Sequence, residues 1–177
     1  MPKPKIGASL LLVLVLTSGA SPARSETVNC TPVTTLPASI ATSGVYCLTD
    51  DLGTTMTSGS AINVTDVGNI VRNNLVVGTG GSTSGGLSNV DAVGIFVGGD
   101  GPRVLNNDVI NTFKQGSGTA TGIVFAATND GLAVINRITS PDLGIDFQIG
   151  STGKYRDTLT FGVTTPFHGG TPVGTNS

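Results

Sequence analysis

The sequence is poor in charged residues, in histidine and in cysteine, and these shortages exclude several classes of function. Charged residues make up 11% of the 177 residues, and His168 is the single histidine. One histidine excludes a histidine-rich zinc site, and the sequence shows no Ser/His/Asp motif around it, so we interpret His168 as a surface residue in a Pro/Gly-rich tail. Basic residues form no stripe that would displace counterions from nucleic acid, since Lys154-Tyr155-Arg156 is too small. Nucleic acid is therefore not an expected partner.

Long apolar runs are also scarce, and the one clear run lies near the start of the chain. Leu10–Leu16 is apolar, follows Lys3 and Lys5, and precedes a series of small residues. This order predicts a secretory signal peptide over residues 1–25. The run is shorter than the roughly 20 residues that a membrane span needs. We therefore expect a secreted or periplasmic chain without a membrane span. Its mature part keeps six basic and eleven acidic residues, for a net charge of −5.

The two cysteines lie close together near the start of the predicted mature chain, at Cys30 and Cys47. In an exported protein such a pair predicts one disulfide, which would stabilise the fold by about 3 kcal/mol on the chain-entropy model. Two free thiols or a pair of metal ligands are the alternatives, although no histidine lies near them in the sequence. The disulfide is the favoured interpretation.

Glycine, in contrast, is abundant, and three glycines begin similar tetrapeptides. Gly94–Val97, Gly122–Phe125 and Gly144–Phe147 each predict a short strand that is followed by a turn. Alternate residues of a strand share a face, so two stacked columns are expected to point inward. The first column is Ile62, Ile95, Ile123 and Ile145, and the second is Val64, Val97, Phe125 and Phe147.

A polar column follows the same spacing in the second half of each repeat. Its members are Asn74, Asn107, Asn136 and Asp157, each two residues before Val76, Val109, Ile138 and Leu159. The isoleucine column advances by 33, 28 and 22 residues, and the polar column by 33, 29 and 21. Two columns with nearly equal steps predict an all-β solenoid, a short parallel β-helix of about four to five coils. Asn favours corners, so the polar column is interpreted as a structural ladder.

The spacing also divides the chain. We predict a signal peptide over 1–25, an N-terminal cap with the disulfide over 26–57, coils over 58–160, and an irregular C-terminal tail over 161–177. Insertions of decreasing length separate the repeats and are expected to leave the coil at one corner.

Several segments resemble secreted bacterial right-handed parallel β-helix proteins of the pectate-lyase-like superfold. The resemblance is carried by Cys30–Pro32, Gly44–Leu52, the N-x-V pattern of the coils, Gly153–Asp157 and Gly169–Thr171, and it covers most of residues 28–177. It implies a right-handed coil. It does not imply one function, because the superfold hosts lyases, hydrolases, epimerases and adhesive surfaces.

The outer face of the first strand in each repeat is the expected place for a site in proteins of this kind. Asp146 is the one carboxylate among the predicted outward positions, whereas glycoside hydrolysis typically needs two. Asp66, Asp100 and Asp130 follow that strand and are candidate Ca²⁺ ligands, although Asp-Gly is also an ordinary turn dipeptide. Arg103 and Arg137, with Asp146, are candidate ligand-binding residues.

The sparse outer face favours a non-catalytic surface or carbohydrate-binding module whose partner is a polysaccharide or a cell-surface glycan. A pectate-lyase-like polysaccharide-degrading enzyme that uses Ca²⁺ is the alternative, and a structural or adhesive subunit is the second alternative. No cofactor is expected other than this Ca²⁺, and the sequence does not indicate the oligomeric state.

Overall fold

The computed structural model describes residues 31–44, 46–48, 59–80 and 91–177, and every regular element within them is a β-strand. The predicted signal peptide and Cys30 lie outside the described residues, and the predicted disulfide therefore lies outside them too. Across the described ranges, no helix is long and apolar enough to cross a membrane.

The strands are short and follow one another through tight turns. In chain order they are β1 (Thr31–Val33), β2 (Ala38–Ile40), β3 (Tyr46–Leu48), β4 (Gly59–Val64), β5 (Ile70–Arg72), β6 (Leu75–Val77), β7 (Ala92–Gly98), β8 (Arg103–Leu105), β9 (Asp108–Ile110), β10 (Ala120–Ala126), β11 (Gly131–Val134), β12 (Arg137–Thr139), β13 (Leu143–Phe147), β14 (Gly153–Arg156), β15 (Leu159–Phe161), β16 (Thr165–His168) and β17 (Thr171–Pro172).

Consecutive strands pass through three sheets in turn, and each sheet pairs strands of successive coils. The first sheet has the order β16-β13-β10-β7-β4-β2, the second β17-β14-β11-β8-β5, and the third β15-β12-β9-β6. Every pairing within them is parallel, as is the separate β1–β3 pair. This arrangement is a parallel β-helix of about five coils, and it confirms the predicted fold class.

The predicted inward columns lie inside the coil and in the predicted register. Ile62 pairs with Ile95, Ile95 with Ile123, and Ile123 with Ile145. The second and third sheets complete the core with Val71, Val104, Ala133, Tyr155, Val76, Val109 and Ile138. Towards the C-terminal end the core becomes aromatic, with the rings of Phe125 and Phe147 stacked at a centroid distance of 4.3 Å.

Two glycines of the repeated tetrapeptides, Gly94 and Gly122, are needed because the first sheet approaches the third sheet closely. A Cβ atom on Gly122 would lie 2.6 Å from Ile138 Cγ2 and 2.8 Å from the carbonyl oxygen of Gly144. Gly94 has the same relation to Val109 and Gly122. Real Cβ contacts are not this short, so glycine is the residue that lets the coils stack here.

The polar column was predicted correctly for its first three members but not for the fourth. Ile138 pairs with Thr160, which places Thr158 opposite Asn136 and leaves Leu159 on the outside. Asp157 instead has a positive φ of 52°, as Asn106 has in the second coil. This left-handed position lies directly before the ladder position, and Asn or Asp is favoured at both, so residue type alone could not separate them.

The tail over 161–177 was predicted to be irregular, and it forms a further coil instead. Strand β16 extends the first sheet and β17 extends the second. The last residues continue the stacking, because Val173 N donates to Tyr155 O (2.9 Å) and Ser177 N donates to Thr158 O (3.1 Å). Pro166 and Pro172 are tolerated here because proline occurs on edge strands.

Candidate functional site

The three candidate Ca²⁺ ligands lie at the corner between the first and second sheets, but on different columns. Gly68 N donates to Asp100 O, and Gly101 N donates to Asn129 O. These bonds place Asn129, rather than Asp130, beside Asp100, so the aspartates of successive coils do not stack on one another. Asp100 Oδ1 accepts a hydrogen bond from Asn129 Nδ2 (2.7 Å) rather than facing Asp130. Among the residues that the structure describes, no group of three or more His, Cys, Asp or Glu side chains is placed to hold a metal.

Asp66 has a local structural role at the start of this corner. Ser43 Oγ donates to Asp66 Oδ2 (2.7 Å), and the backbone N–H of Val67 donates to Asp66 Oδ1 (2.8 Å). These hydrogen bonds, that from Ser43 above all, lower the pKa of Asp66. The hydrogen bond from Ser43 joins the segment after β2 to the first complete coil.

The candidate ligand-binding residues are distributed over three sheets and do not form one site. Arg103 lies on the outer side of the second sheet, in β8, and Arg137 on the outer side of the third, in β12. Arg137 forms a two-pronged ion pair with Asp108, in which Nε donates to Oδ1 (2.5 Å) and Nη2 to Oδ2. This pairing raises the pKa of Arg137.

Asp146 lies on the first sheet with an unexpected partner, His168. Strands β13 and β16 pair in register, so the two residues are neighbours, with His168 Nδ1 2.7 Å from Asp146 Oδ1. The Asp146 side chain is 11% exposed and that of His168 is 59% exposed. The sequence analysis treated His168 as an isolated surface residue because it predicted an irregular tail. A signal was available, because the 22-residue step from Ile123 to Ile145 repeats from Ile145 to Phe167.

A cluster of charge of one sign lies on the outer side of the second sheet. Four exposed basic residues lie there, in β5, β8 and β14, and we call them the basic face: Arg72, Arg103, Lys154 and Arg156. Arg103 and Lys154 share a column, since both are in register with Leu132. They are separated by two strand spacings, about 10 Å. Arg72 and Arg156 belong to the neighbouring column.

The cations of the basic face have few anionic partners. Within the described part of the chain, Arg156 Nε lies 3.4 Å from Asp157 Oδ2, and Arg72, Arg103 and Lys154 form no ion pair. The remaining two basic residues of the predicted mature chain, Lys114 and Arg137, are both paired with aspartates. The basic face thus holds four of the six basic residues of the predicted mature chain, and three of those four are unpaired there.

Apolar side chains lie between these cations. The outward positions Leu105 and Leu132 are half-buried and Val134 is buried. The basic face therefore combines apolar side chains, which lie close to the sheet, with cations on the strands around them. Such a surface can contact both the ring faces and the carboxylates of an acidic sugar.

A cavity of about 380 Å³ lies at the N-terminal end of the coil, where β2 and β3 approach the first complete coil. Its walls include core residues such as Ile62, Val64 and Val71, together with Tyr46 and Asn74. It adjoins the hydrophobic interior, and its lining includes none of the candidate ligand residues predicted from the sequence.

Comparison with protein-family models, with curated proteins and with solved structures finds no match to this chain. The parallel β-helix therefore stands on the strand pairing alone.

Proposed function

We propose that this protein is an exported β-helix that binds an acidic polysaccharide on the basic face without cleaving it. The observation that carries the proposal is the gathering of Arg72, Arg103, Lys154 and Arg156 on one sheet of a chain whose predicted mature net charge is −5. Export is inferred from the predicted signal peptide. Kinship with the pectate-lyase-like superfold is part of the proposal and rests on the sequence resemblance.

The spacing of the cations favours a polymer over a small anion. Parallel strands hold Arg103 and Lys154 at a fixed separation of about 10 Å, and the strands repeat along the coil axis. Carboxylates that recur along a chain of uronic acid residues would meet several cations at once. Arginine supplies two parallel hydrogen bonds to one carboxylate, and lysine supplies a point charge.

The same face is small for nucleic acid. Proteins that bind nucleic acid with marked salt dependence typically contact about six to ten phosphates, and this face offers four cations. The Asp100 and Asp130 corner leads directly into the second sheet and adds repulsion against a polyanion of high charge density. Duplex DNA carries one charge per about 1.7 Å of helix axis, and a polymer with fewer charges per unit length fits the face better.

The proposal is tested by isothermal titration of the mature protein with polygalacturonate, with a neutral glucan and with double-stranded DNA. We expect binding to polygalacturonate alone, and binding that weakens as the salt concentration rises. Arg103→Gln/Lys154→Gln should weaken it by more than about tenfold, since two charge-assisted contacts are lost.

Lys154→Gln alone should also weaken binding, and Lys114→Gln is its matched control, because each removes one cation and Lys114 lies at a different corner of the coil. Binding by Lys114→Gln should equal that by the wild type. Equal loss in both variants would show that net charge, rather than the basic face, controls binding. Preference for double-stranded DNA, or no binding to any polyanion, would overturn the proposal.

A second candidate function is cleavage of such a polymer, and the Asp146–His168 pair favours it. A histidine held by a carboxylate can act as a general base. In an elimination, His168 would take the proton from C5 of a uronate, the C4–O bond would break, and the C4=C5 bond would form. The leaving oxygen would then be protonated from water. Assaying polygalacturonate for the new double bond tests this, and product that disappears with His168→Ala would favour the enzyme over the binding module.

A further inference from the structure

The outer side of the third sheet has a different composition from the basic face. Its outward positions come in two columns. One column is Leu75, Asp108, Arg137 and Leu159, and the other is Val77, Ile110, Thr139 and Phe161. We call this surface the apolar face.

The large apolar residues at its two ends are strongly exposed. Leu75 and Val77 are 62% and 58% exposed in the first coil, and Leu159 and Phe161 are 55% and 79% exposed in the fourth. A contiguous exposed apolar surface on a folded protein typically marks a contact with a partner.

The charged residues of the apolar face lie at its centre. Asp108 and Arg137 occupy the two middle coils, on adjacent strands, and form the ion pair described above. Along the column the order is apolar, negative, positive, apolar. This order is self-complementary. When a second copy of the column lies against the first in the opposite direction, apolar residues face apolar residues and each charge faces its counterion.

We propose that the apolar face is the interface of a homodimer whose two-fold axis runs parallel to the strands, between β9 and β12. Such an axis brings the first coil of one copy against the fourth coil of the other. Leu75 then faces Leu159, Val77 faces Phe161, and Asp108 faces Arg137 of the second copy. A two-fold interface uses the same patch on both subunits, as this arrangement does.

The other simple two-fold arrangement is not complementary. An axis along the coil would place each coil opposite its own copy and exchange the two columns. Asp108 would then face Ile110, and Arg137 would face Thr139, so that charges would be desolvated without a counterion from the partner. The charge pattern therefore selects the axis parallel to the strands.

The size of the face predicts a weak dimer. Four strands span about 15 Å, and each presents two outward side chains. Interfaces that bury less than about 1,200 Å² in total are typical of transient complexes. Dimerisation should therefore depend on protein concentration. A dimer would also present two basic faces to one polymer chain, which would increase avidity.

The experiment is sedimentation equilibrium of the mature protein over a wide range of concentrations. We expect a reversible monomer–dimer equilibrium, which Phe161→Glu shifts to monomer. Ile70→Glu is the matched control, since Ile70 is also an exposed apolar strand residue, at 54%, but on the second sheet. The control should dimerise as the wild type does. A wild-type protein that stays monomeric, or equal effects of both variants, would overturn the proposal.

A charge exchange tests the axis. Arg137→Glu should weaken dimerisation by more than about tenfold, because each interface then holds like charges in opposition. Asp108→Arg/Arg137→Asp keeps the ion pair within one chain and restores opposite charges across the proposed axis, so it should restore the dimer. Failure of this rescue, with folding intact by circular dichroism, would contradict the arrangement.

Cross-linking gives an independent test that does not depend on affinity. Val77→Cys and Phe161→Cys are prepared as separate proteins, mixed and oxidised. Within one chain these positions lie three strands apart, about 15 Å, beyond the reach of a disulfide. The mixture should form a covalent heterodimer, whereas each variant alone should cross-link no more than the wild type. Efficient cross-linking of Val77→Cys alone would require a different axis and refute the proposed one.

Discussion

The inside and the outside of this coil follow different rules. Inside, the three sheets present the same kind of residue, aliphatic or aromatic side chains stacked in register. Outside, the first sheet carries the Asp146–His168 pair, the second the basic face, and the third the apolar face. Stacking requires a similar inward residue in every coil, whereas an outward residue is constrained only by what it contacts. The interior columns thus specify the fold, whereas the composition of the outer faces is free to differ from sheet to sheet.

The largest difference between the two regions is expected for phenylalanine. Phe125 is fully buried and stacks on Phe147, whereas Phe161 is 79% exposed. Phe125→Ala should lower the free energy of unfolding by about 3–5 kcal/mol because it leaves a cavity in the core. Phe161→Ala should lower it by less than about 1 kcal/mol. Urea unfolding of dilute protein measures both, and equal losses would contradict the assigned register.

Asn107 tests the polar part of the interior. Asn74 N and Nδ2 both donate to Asn107 Oδ1 (3.0 and 2.9 Å), and Asn107 Nδ2 donates to Val71 O (3.1 Å) and to Asn136 Oδ1 (3.1 Å). Asn107→Ala should cost about 2–3 kcal/mol of unfolding free energy, because it leaves buried backbone groups without partners.

The control for Asn107 is Asn129→Ala. Asn129 is exposed, and its Nδ2 donates to the equally exposed Asp100. We expect a loss within about 0.5 kcal/mol. Thermal unfolding of the two variants measures both losses. Equal losses would show that Asn107, like Asn129, is a solvated corner amide rather than part of a buried ladder.

Gly122 tests how closely the coils stack. A methyl group at this position meets Ile138 Cγ2 and a carbonyl oxygen of the neighbouring strand. Gly122→Ala should therefore lower stability by about 1–3 kcal/mol through overpacking. Gly98 is the matched control on the same sheet, since its Cβ would lie 3.4 Å from the nearest atom. Gly98→Ala should have the smaller effect in chemical unfolding, and the reverse order would contradict the inward position of Gly122.

The sequence predicted the interior far better than the exterior. Stacking in register gave the isoleucine column and the polar column nearly equal steps, so the register of the interior could be read from residue type. The fourth polar position was displaced by one residue because Asp157 suits a left-handed turn as well as a ladder. His168 was missed because prolines suggested an irregular tail, although Pro166 lies in an edge strand.

The outer faces could not be predicted for a different reason. Arg72, Arg103 and Lys154 are far apart in the sequence and have no common motif, and only the strand register places them on one surface. Likewise, Arg103 and Arg137 were both predicted as candidate ligand-binding residues, but they lie on different sheets. Which residues of different coils become neighbours depends on the length of the loop between them. Residue type alone does not show where a loop ends and the next strand begins.

The smallest expected effect concerns pH and the corner where the third sheet leads back to the first. Ala120 N donates to Asp142 Oδ2 (3.0 Å), and Lys114 Nζ lies 3.1 Å from the same oxygen. The hydrogen bond from Ala120 and then Lys114 lower the pKa of Asp142, although partial burial opposes them. A carboxyl whose pKa is lower in the folded than in the unfolded protein stabilises the fold above its unfolded pKa, near 3.9, and loses this contribution as pH falls through the folded pKa.

Asp142→Asn should therefore destabilise the protein at neutral pH and make its unfolding free energy fall less steeply below about pH 4 than in the wild type. Lys114→Gln should give an intermediate slope, because the hydrogen bond from Ala120 remains. Urea unfolding at a series of pH values measures all three slopes. If Lys114→Gln matched Asp142→Asn, the ion pair rather than the backbone hydrogen bond would control this corner. The exterior charge would then contribute to holding the coils together, and the division between interior and exterior would be less sharp than the packing indicates.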